Sequence, residues 1–449
     1  MTRALPTSAP LTPDCDVVVL GGGPAGSTMA ALLARQNRHV VLLERDHHPR
    51  FHIGESLLPA NVPLLEDLGL RAELDRIGMP KWGIEFVSAE HRHSALVEFA
   101  EAWDKRQPMA WQVRRSEFDA LLFKHAQDRG AQALQGCQVH SVEFDNDGAT
   151  VHARLDGGAT RQWRTRHVVD ASGRDTLLAR QFGSKRKNPR HNSAALFGHF
   201  SGARRLQGRL EGNISVFWFK HGWIWFIPLA DGSTSVGATC WPPYLKTRDK
   251  PLKDFFMDTL AMSPRLSARL QGATLIDERV HATGNYSYSA QESCGERWLM
   301  LGDAYAFIDP VFSSGVYLAM ASAYKGADLV ATSLDRPHQA AVARRRFSAH
   351  MRQGPREFSW FIFRMTNPAL RALFMEPRNV LRSKEAVLSL LAGDIFGSTP
   401  FRPSLVFFKL MYYLNSLWHA RATWKAWRER RRNIRQEDGG HGKSMAVES

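Results

Sequence analysis

Asp16-Val-Val-Val-Leu-Gly21-Gly-Gly23-Pro24-Ala25-Gly26 opens this 449-residue chain as an apolar strand running into a glycine turn. A helical stretch follows to about Gln36, and a second apolar strand over residues 39–43 ends at Glu44. Strand, glycine turn, helix and strand in so short a span form a dinucleotide-binding unit. Gly21 permits the tight turn, Gly23 lets a pyrophosphate approach the backbone, and Gly26 lets the helix pack closely on the strand. Unpaired amides at the helix start, where Pro24 and Ala25 stand, attract the phosphates. Glu44 is placed to accept hydrogen bonds from both hydroxyls of an adenosine ribose, with Arg45 beside it in the same binding set. An unphosphorylated dinucleotide is expected.

Three later segments narrow the cofactor. Val113, Arg115, Phe118 and Asp119 read V-x-R-x-x-F-D; residues 167–170 read as a strand ending at Asp170, followed by Ala-Ser-Gly173; residues 298–301 form an apolar strand before Gly302-Asp303-Ala304. Together they resemble the FAD-binding pattern shared by aromatic hydroxylases of the p-hydroxybenzoate type, geranylgeranyl reductases and flavin-dependent halogenases. The resemblance implies FAD, with Arg115 near the flavin phosphates or ribityl chain, Asp303 on the ribityl hydroxyls, and Asp170 and Gly302 in the same set.

Between these segments, residues 84–111 and 197–241 are rich in aromatic and β-branched residues, with turn signals at His221-Gly222 and Asp231-Gly232. From Gly315 the pattern is helical, and from about Arg345 to Arg435 it is helical with interruptions at Pro355, Pro368, Pro377 and residues 398–403. The expected architecture is α/β. A Rossmann-like FAD-binding domain of the p-hydroxybenzoate-hydroxylase type spans 15–345 and carries an inserted antiparallel sheet at about 81–112 and 190–290. A helical substrate cap follows over 346–435, with a flexible segment at 1–14 and a disordered tail at 436–449.

Composition excludes other classes. With 44% apolar and 23% charged residues the chain is not a disordered one. The cysteines at 15, 137, 240 and 294 form no CxxC pair, which points to reduced thiols in a cytoplasmic protein and to no structural metal. No run of about 20 uncharged apolar residues is present, so no integral membrane segment is expected. Fifty-nine Lys and Arg against 44 Asp and Glu give +15, favouring an acidic partner. Nucleic acid is not the expected one.

Two further motifs resemble flavin-dependent halogenases: Trp223-Ile-Trp225-Phe-Ile-Pro228 reads W-x-W-x-I-P, and Phe307-Ile-Asp-Pro310-Val-Phe312-Ser-Ser314-Gly315 reads F-x-x-P-x-x-S-x-G. Lys81 follows Gly54-Glu55-Ser56-Leu57-Leu58-Pro59 at the place where those enzymes carry their essential lysine. Alternation puts Trp223 and Trp225 on one strand face, where two indoles can wall off the flavin. By the resemblance Phe312 belongs to the same flavin and tunnel wall, and Pro310 and Gly315 contact FAD. A helix start there attracts an anion, the reduced flavin's edge or a halide, and the resemblance implies that backbone amides at Ser314 and Gly315 hold the halide. Lys81 begins an apolar strand and is expected to point inward, where desolvation lowers an amine's pKa.

The resemblance implies that FADH2 from a separate flavin reductase, O2 and chloride or bromide give hypohalous acid. Lys81 then either orients that acid by hydrogen bonding or becomes a haloamine, and an electron-rich ring is substituted. Tryptophan halogenases carry a glutamate where this chain has Phe312, so a phenol, a pyrrole or a carrier-bound aryl group is the better substrate. Glu85, Asp309 and the histidines are candidate second bases. The basic run Arg421, Lys425, Arg428, Arg430, Arg431, Arg432 and Arg435 is a solvated face or a docking surface for a carrier protein or a membrane. The rivals are an NAD(P)H-driven aromatic hydroxylase on the same scaffold and a catalytically silent flavoprotein that binds a carrier or lipid.

Overall fold

The computed structural model describes residues 13–435, so the expected tail at 436–449, and all but the end of the expected flexible segment at 1–14, lie outside the described residues. The Rossmann unit begins with β1 (Cys15–Leu20), α1 (Pro24–Arg35) and β2 (Val40–Leu43). Val17, Val18 and Val19 have no exposed surface, as befits a strand covered on both faces. The chain next forms β3 (Met79–Lys81), β4 (Gly83–Val87), β5 (Ser94–Glu98) and β6 (Ala110–Gln112), then α2 (Arg115–Asp128). Strands β7 (Gln132–Leu134), β8 (Cys137–Phe144), β9 (Ala149–Leu155) and β10 (Thr160–Asp170) complete most of a sheet in the order β7-β2-β1-β10-β9-β8. Parallel register sets Leu20 beside Leu43 on one side and Asp170 on the other, so the strand ends carrying Gly21, Glu44 and Asp170 share one edge.

The inserted sheet adds β11 (Ser193–Ser201), β12 (Ile214–Phe219), β13 (Gly222–Pro228), β14 (Thr234–Cys240) and β15 (His281–Tyr286) to β4 and β5. It is antiparallel except where β12 lies parallel to β4, with Ile214 beside Ile84. The exception has a topological cause: between these strands the chain leaves for the Rossmann unit, and parallel neighbours need a long crossover. Lys81 belongs to a separate two-stranded ribbon, β3 with β6, in which it pairs with Ala110.

After β16 (Trp298–Met300), parallel to β10, come α3 (Gly315–Asp335), α4 (Ala340–Ile362), α5 (Pro368–Met375), α6 (Ser383–Leu391), α7 (Arg402–Trp418) and α8 (Ala420–Arg435). Pro355 does not interrupt the chain as expected; it lies inside α4. A proline there costs about 3 kcal/mol, which the packing of Phe347, Met351, Phe358, Phe361 and Ile362 offsets. The boundary drawn between 345 and 346 likewise falls within this continuous helix. Pro368, by contrast, starts α5 behind an Asn367 cap.

The two faces of the inserted sheet have different partners. Ile84, Phe86, Trp218, Trp223 and Trp225 join Phe312 and the cap residues Phe358, Phe361 and Phe374 in one core. Phe217, Ile224 and Phe226 point the other way, toward Phe255, Phe256 and Leu260.

Candidate active site

A cavity of about 1030 Å³ runs from the strand ends of the Rossmann sheet to the tryptophan face of the inserted sheet. Gly21, Gly23, Pro24, Ala25, Glu44 and Arg45 line one end; Ile214, Trp223, Trp225, Phe307, Pro310 and Gly315 line the other. Arg115 and Asp303 lie on its wall as well.

The glycine turn leaves no room for side chains. Gly21 has φ +99°, and a Cβ on Gly26 would stand 1.9 Å from the Gly21 carbonyl oxygen. The first turn of α1 holds no acidic residue and receives no side-chain cap, so its amides keep their attraction for an anion. Glu44 accepts hydrogen bonds from the Gly22 amide at 2.6 Å and the Asp46 amide at 3.0 Å. Each carboxylate oxygen keeps acceptor capacity for a ribose hydroxyl.

Arg50, which sequence reasoning did not single out, reaches Glu44 and Asp119 at 3.4 Å each beside this turn. Arg115 forms a bidentate pair with Asp119 at 2.8 and 3.0 Å and donates to the Ile53 carbonyl. Burial raises the Asp119 pKa, but Arg115 foremost, with His52 and Arg50, outweighs it and holds the carboxyl below its ordinary range. Asp303 is pushed up to about 6 by burial, against the pull of Arg174 and Arg115.

Some expected cofactor residues act from behind the wall. Asp170 is fully buried and accepts from the Ser172 amide at 2.9 Å and the Leu178 amide at 2.8 Å, which fixes the loop after β10. Gly302 has φ +49° and packs on Ala319 of α3. Gly26 serves the close contact of helix and strand.

At the opposite end, a turn runs from Asp309 to Ser313, which has φ +55°, and delivers the chain into α3. Asp309 caps it through the Val311 amide at 3.1 Å and is itself bound by Ser193 at 2.8 Å and His191 at 2.9 Å. Gly315 lines the cavity with only the Phe307 ring, at 4.0 Å, near where a Cβ would stand, and no acid lies in the first turn of α3, so the helix start favours an anion. Ser314 is buried at the N-cap position, makes no side-chain cap bond and does not line the cavity. Phe312 does not line it either; its ring packs on Phe358 and Phe361 of the cap. Trp223 and Trp225 stand with ring centroids 5.8 Å apart, and the Trp225 indole donates to Ser235.

Lys81 is fully buried, as its apolar neighbours predict. Its ammonium donates to Ser56 Oγ at 2.9 Å and the Leu57 carbonyl at 3.0 Å, and lies 5.2 Å from the Phe99 ring centroid. No carboxylate among the described residues pairs with it, and burial pulls its pKa down to about 7. Lys81 does not line the cavity, but Ser56 and Glu55 do. Glu55 binds His199 at 2.8 Å through one oxygen, and its other oxygen is buried without a partner. Glu85 is excluded as a free base, since Arg269 and Ser215 hold it. Glu55 and Ser56 carried one signal in the sequence, their place in the Gly54-to-Pro59 segment.

The glycine cradle, the anion-attracting ends of α1 and α3 and the orphaned Glu55 oxygen fit FAD, and residues 14–339 match the family described as an FAD binding domain. A flavin-dependent halogenase of Armillaria mellea is 35% identical over 71% of this chain and 68% of its own length. A 1H-pyrrole-2-carbonyl-(peptidyl-carrier protein) chlorinase of Pseudomonas fluorescens is 30% identical over 85% of this chain and 90% of its own. Among solved structures, the myxobacterial chondrochloren halogenase matches with a TM-score of 0.75 at 30% identity, over 90% of this chain and 96% of that one. A flavoprotein/dehydrogenase from Cytophaga hutchinsonii matches at 0.81 and 28% identity, over 90% and 99%. The fold and cavity define an FAD-binding oxidoreductase. The chain belongs to the flavin-dependent halogenases, and is an FADH2-dependent halogenating enzyme.

Proposed function

We propose that this enzyme chlorinates or brominates an electron-rich aromatic group, phenolic, pyrrolic or held on a carrier protein, and that Lys81 delivers the halogen. Reduced FAD, when bound, supplies the electrons with which O2 converts halide to hypohalous acid. Gly21, Gly23, Glu44, Arg45, Arg50 and Arg115 would hold its adenosine and phosphate portions, and Asp303, Pro310 and Gly315 its flavin end.

The start of α3, at Ser314 and Gly315, concentrates halide near that end. Trp223 and Trp225 close the cavity against the organic substrate, so that only a small oxidant leaves it. Lys81, reached through Ser56, takes up hypohalous acid. Its charged form donates a hydrogen bond to the acid; its neutral form attacks the halogen, giving a haloamine and water. With a pKa of about 7, both forms are present near neutrality. Phe312 supplies no carboxylate to the substrate side, which suits a ring that donates its own electron density.

The observation that carries this reading is a desolvated, unpaired amine one residue behind the wall of the FAD cavity. FAD-loaded enzyme given a flavin reductase, O2 and bromide should halogenate a phenolic or pyrrolic compound, free or as a carrier thioester. Bound FAD without halogenated product from any of these would overturn the reading.

A separate reductase and a carrier are the partners we assign, the latter supported by similarity to the carrier-protein chlorinase. No helix among the described residues is long and apolar enough to cross a membrane. We assign the enzyme to the cytoplasm, with peripheral membrane contact through α8 and the exposed Leu414, Leu417 and Trp418 of α7. Flotation with anionic vesicles tests that contact, and failure to float would remove it.

A further inference from the structure

A second cavity, of about 1300 Å³, lies between α8, the C-terminal end of α4 and the loop before β11. Eight lysine and arginine side chains line it, including Arg190, Arg364, Lys409, Arg430 and Arg431, against one carboxylate, Glu357. None of the eight forms an ion pair with a carboxylate among the described residues, whereas cations elsewhere, such as Arg38, Arg71 and Lys250, do. They are held close together at a cost. Burial first, then repulsion by Arg364, pulls Arg430 down to about 10, and burial lowers Lys409 as well. Arg430 and Lys409, without a carboxylate partner among the described residues and partly removed from water, call for an anion.

The cavity is also aromatic. The Arg364 guanidinium lies 4.5 Å from the Trp360 ring centroid and 5.5 Å from Tyr412, Arg430 lies 5.2 Å from Phe363, and Trp427 of α8 faces the same space. At one end stands His191, whose Nδ1 is buried without a partner and whose Nε2 binds Asp309. The residue after Asp309 is Pro310, which lines the FAD cavity. The His191–Asp309 hydrogen bond thus links the wall of this cavity to the turn that lines the FAD cavity. Inorganic phosphate would use the charge but not the rings or the volume. A phosphate carrying a long, partly apolar arm would use all three, because arginine forks match phosphate oxygens and the rings cover an apolar chain.

We propose that this cleft receives the phosphopantetheinyl arm of an acidic carrier protein, its phosphate among Arg364, Lys409, Arg430 and Arg431 and its thioester end toward His191. The assignment rests on the carrier-bound reading of the substrate. It gives the net charge of +15 a place and a partner.

The test is calorimetric titration of the full-length, FAD-loaded enzyme with 4′-phosphopantetheine, pantetheine and ADP. Phosphopantetheine should bind at one saturable site, at least about tenfold more tightly than pantetheine or ADP. The Lys409→Glu/Arg431→Glu double variant should lose about tenfold of that affinity while keeping its FAD spectrum and its turnover of a free phenol. Absence of saturable binding, equal binding of pantetheine or ADP, or an unaffected double variant would overturn the proposal. Turnover of an aryl-carrier thioester by an enzyme whose cleft fails these tests would sink the cleft and leave the carrier reading. Refusal of every carrier thioester, with phosphopantetheine bound as expected, would sink the carrier as substrate donor and with it this assignment of the cleft.

Discussion

Lys81 touches Ser56 Oγ at 2.9 Å, and Ser56 is the residue that the buried amine and the wall of the FAD cavity share. On the proposed reading, hypohalous acid formed in the cavity would meet Ser56 before it met the amine.

Burial sets the amine's lowered pKa, and the hydroxyl bears on it through one hydrogen bond. Its oxygen accepts from the ammonium, and a hydrogen bond to a charged group is worth about 1.5–3 kcal/mol. Ser56→Ala removes that support for the protonated form, so the amine should deprotonate about one unit lower, each unit being about 1.4 kcal/mol. Halogenation measured against pH should show its ionisation moved down from about 7 with FAD affinity unchanged. An unmoved profile would separate Ser56 from the amine.

Lys81 also makes stability depend on pH. Its folded pKa, about 7, lies below the 10.5 of an ordinary lysine. Between these values the unfolded chain binds a proton that the folded one does not, so stability from this group rises with pH through that window and is lost as pH falls toward 7. Lys81→Met removes the titration, so the wild type should gain stability relative to the variant from pH 7 to pH 9 in denaturant unfolding. A constant difference would contradict the burial of the amine.

The local parts of the site were legible in the sequence, and the assembled parts were not. Gly21, Gly23, Gly26 and Glu44 sit within one strand-turn-helix-strand unit, so spacing alone placed them. Burial of Lys81 followed from its apolar neighbours. Its partners Ser56 and Leu57 did not, because the Ser56–Gln112 bridge and the pairing of β3 with β6 bring them together. Phe312 carried no signal that its ring would turn toward Phe358 and Phe361 rather than the cavity. Arg430 belonged to a run that reads as a solvated face, yet it folds over Phe363. Pro355 reads as a break in the sequence, and packing along α4 overrides it.

Gly26→Ala would bring a Cβ to 1.9 Å from the Gly21 carbonyl oxygen, a clash with backbone that cannot swing away. Forced overpacking costs about 1–3 kcal/mol. FAD affinity, followed by flavin fluorescence, should fall at least about tenfold, the equivalent of about 1.4 kcal/mol. Unchanged affinity would place the phosphates elsewhere.

Trp225 packs against Trp223 and Phe197, and Trp225→Ala should destabilise the protein by about 3–5 kcal/mol, read by denaturant unfolding. In the fraction that stays folded and binds FAD, the opened wall should shift O2 consumption from halogenated product toward hydrogen peroxide. An unchanged ratio would remove the indole from the closure of the cavity.

The central claim is that Lys81 carries the halogen from a closed cavity to the ring, and Lys81→Ala tests it most directly. With FADH2, O2 and bromide, this variant should bind FAD and consume O2 as the wild type does. It should release hydrogen peroxide or free hypobromous acid and brominate no substrate at the enzyme's own position. Bromination at that position at the wild-type rate would contradict the claim.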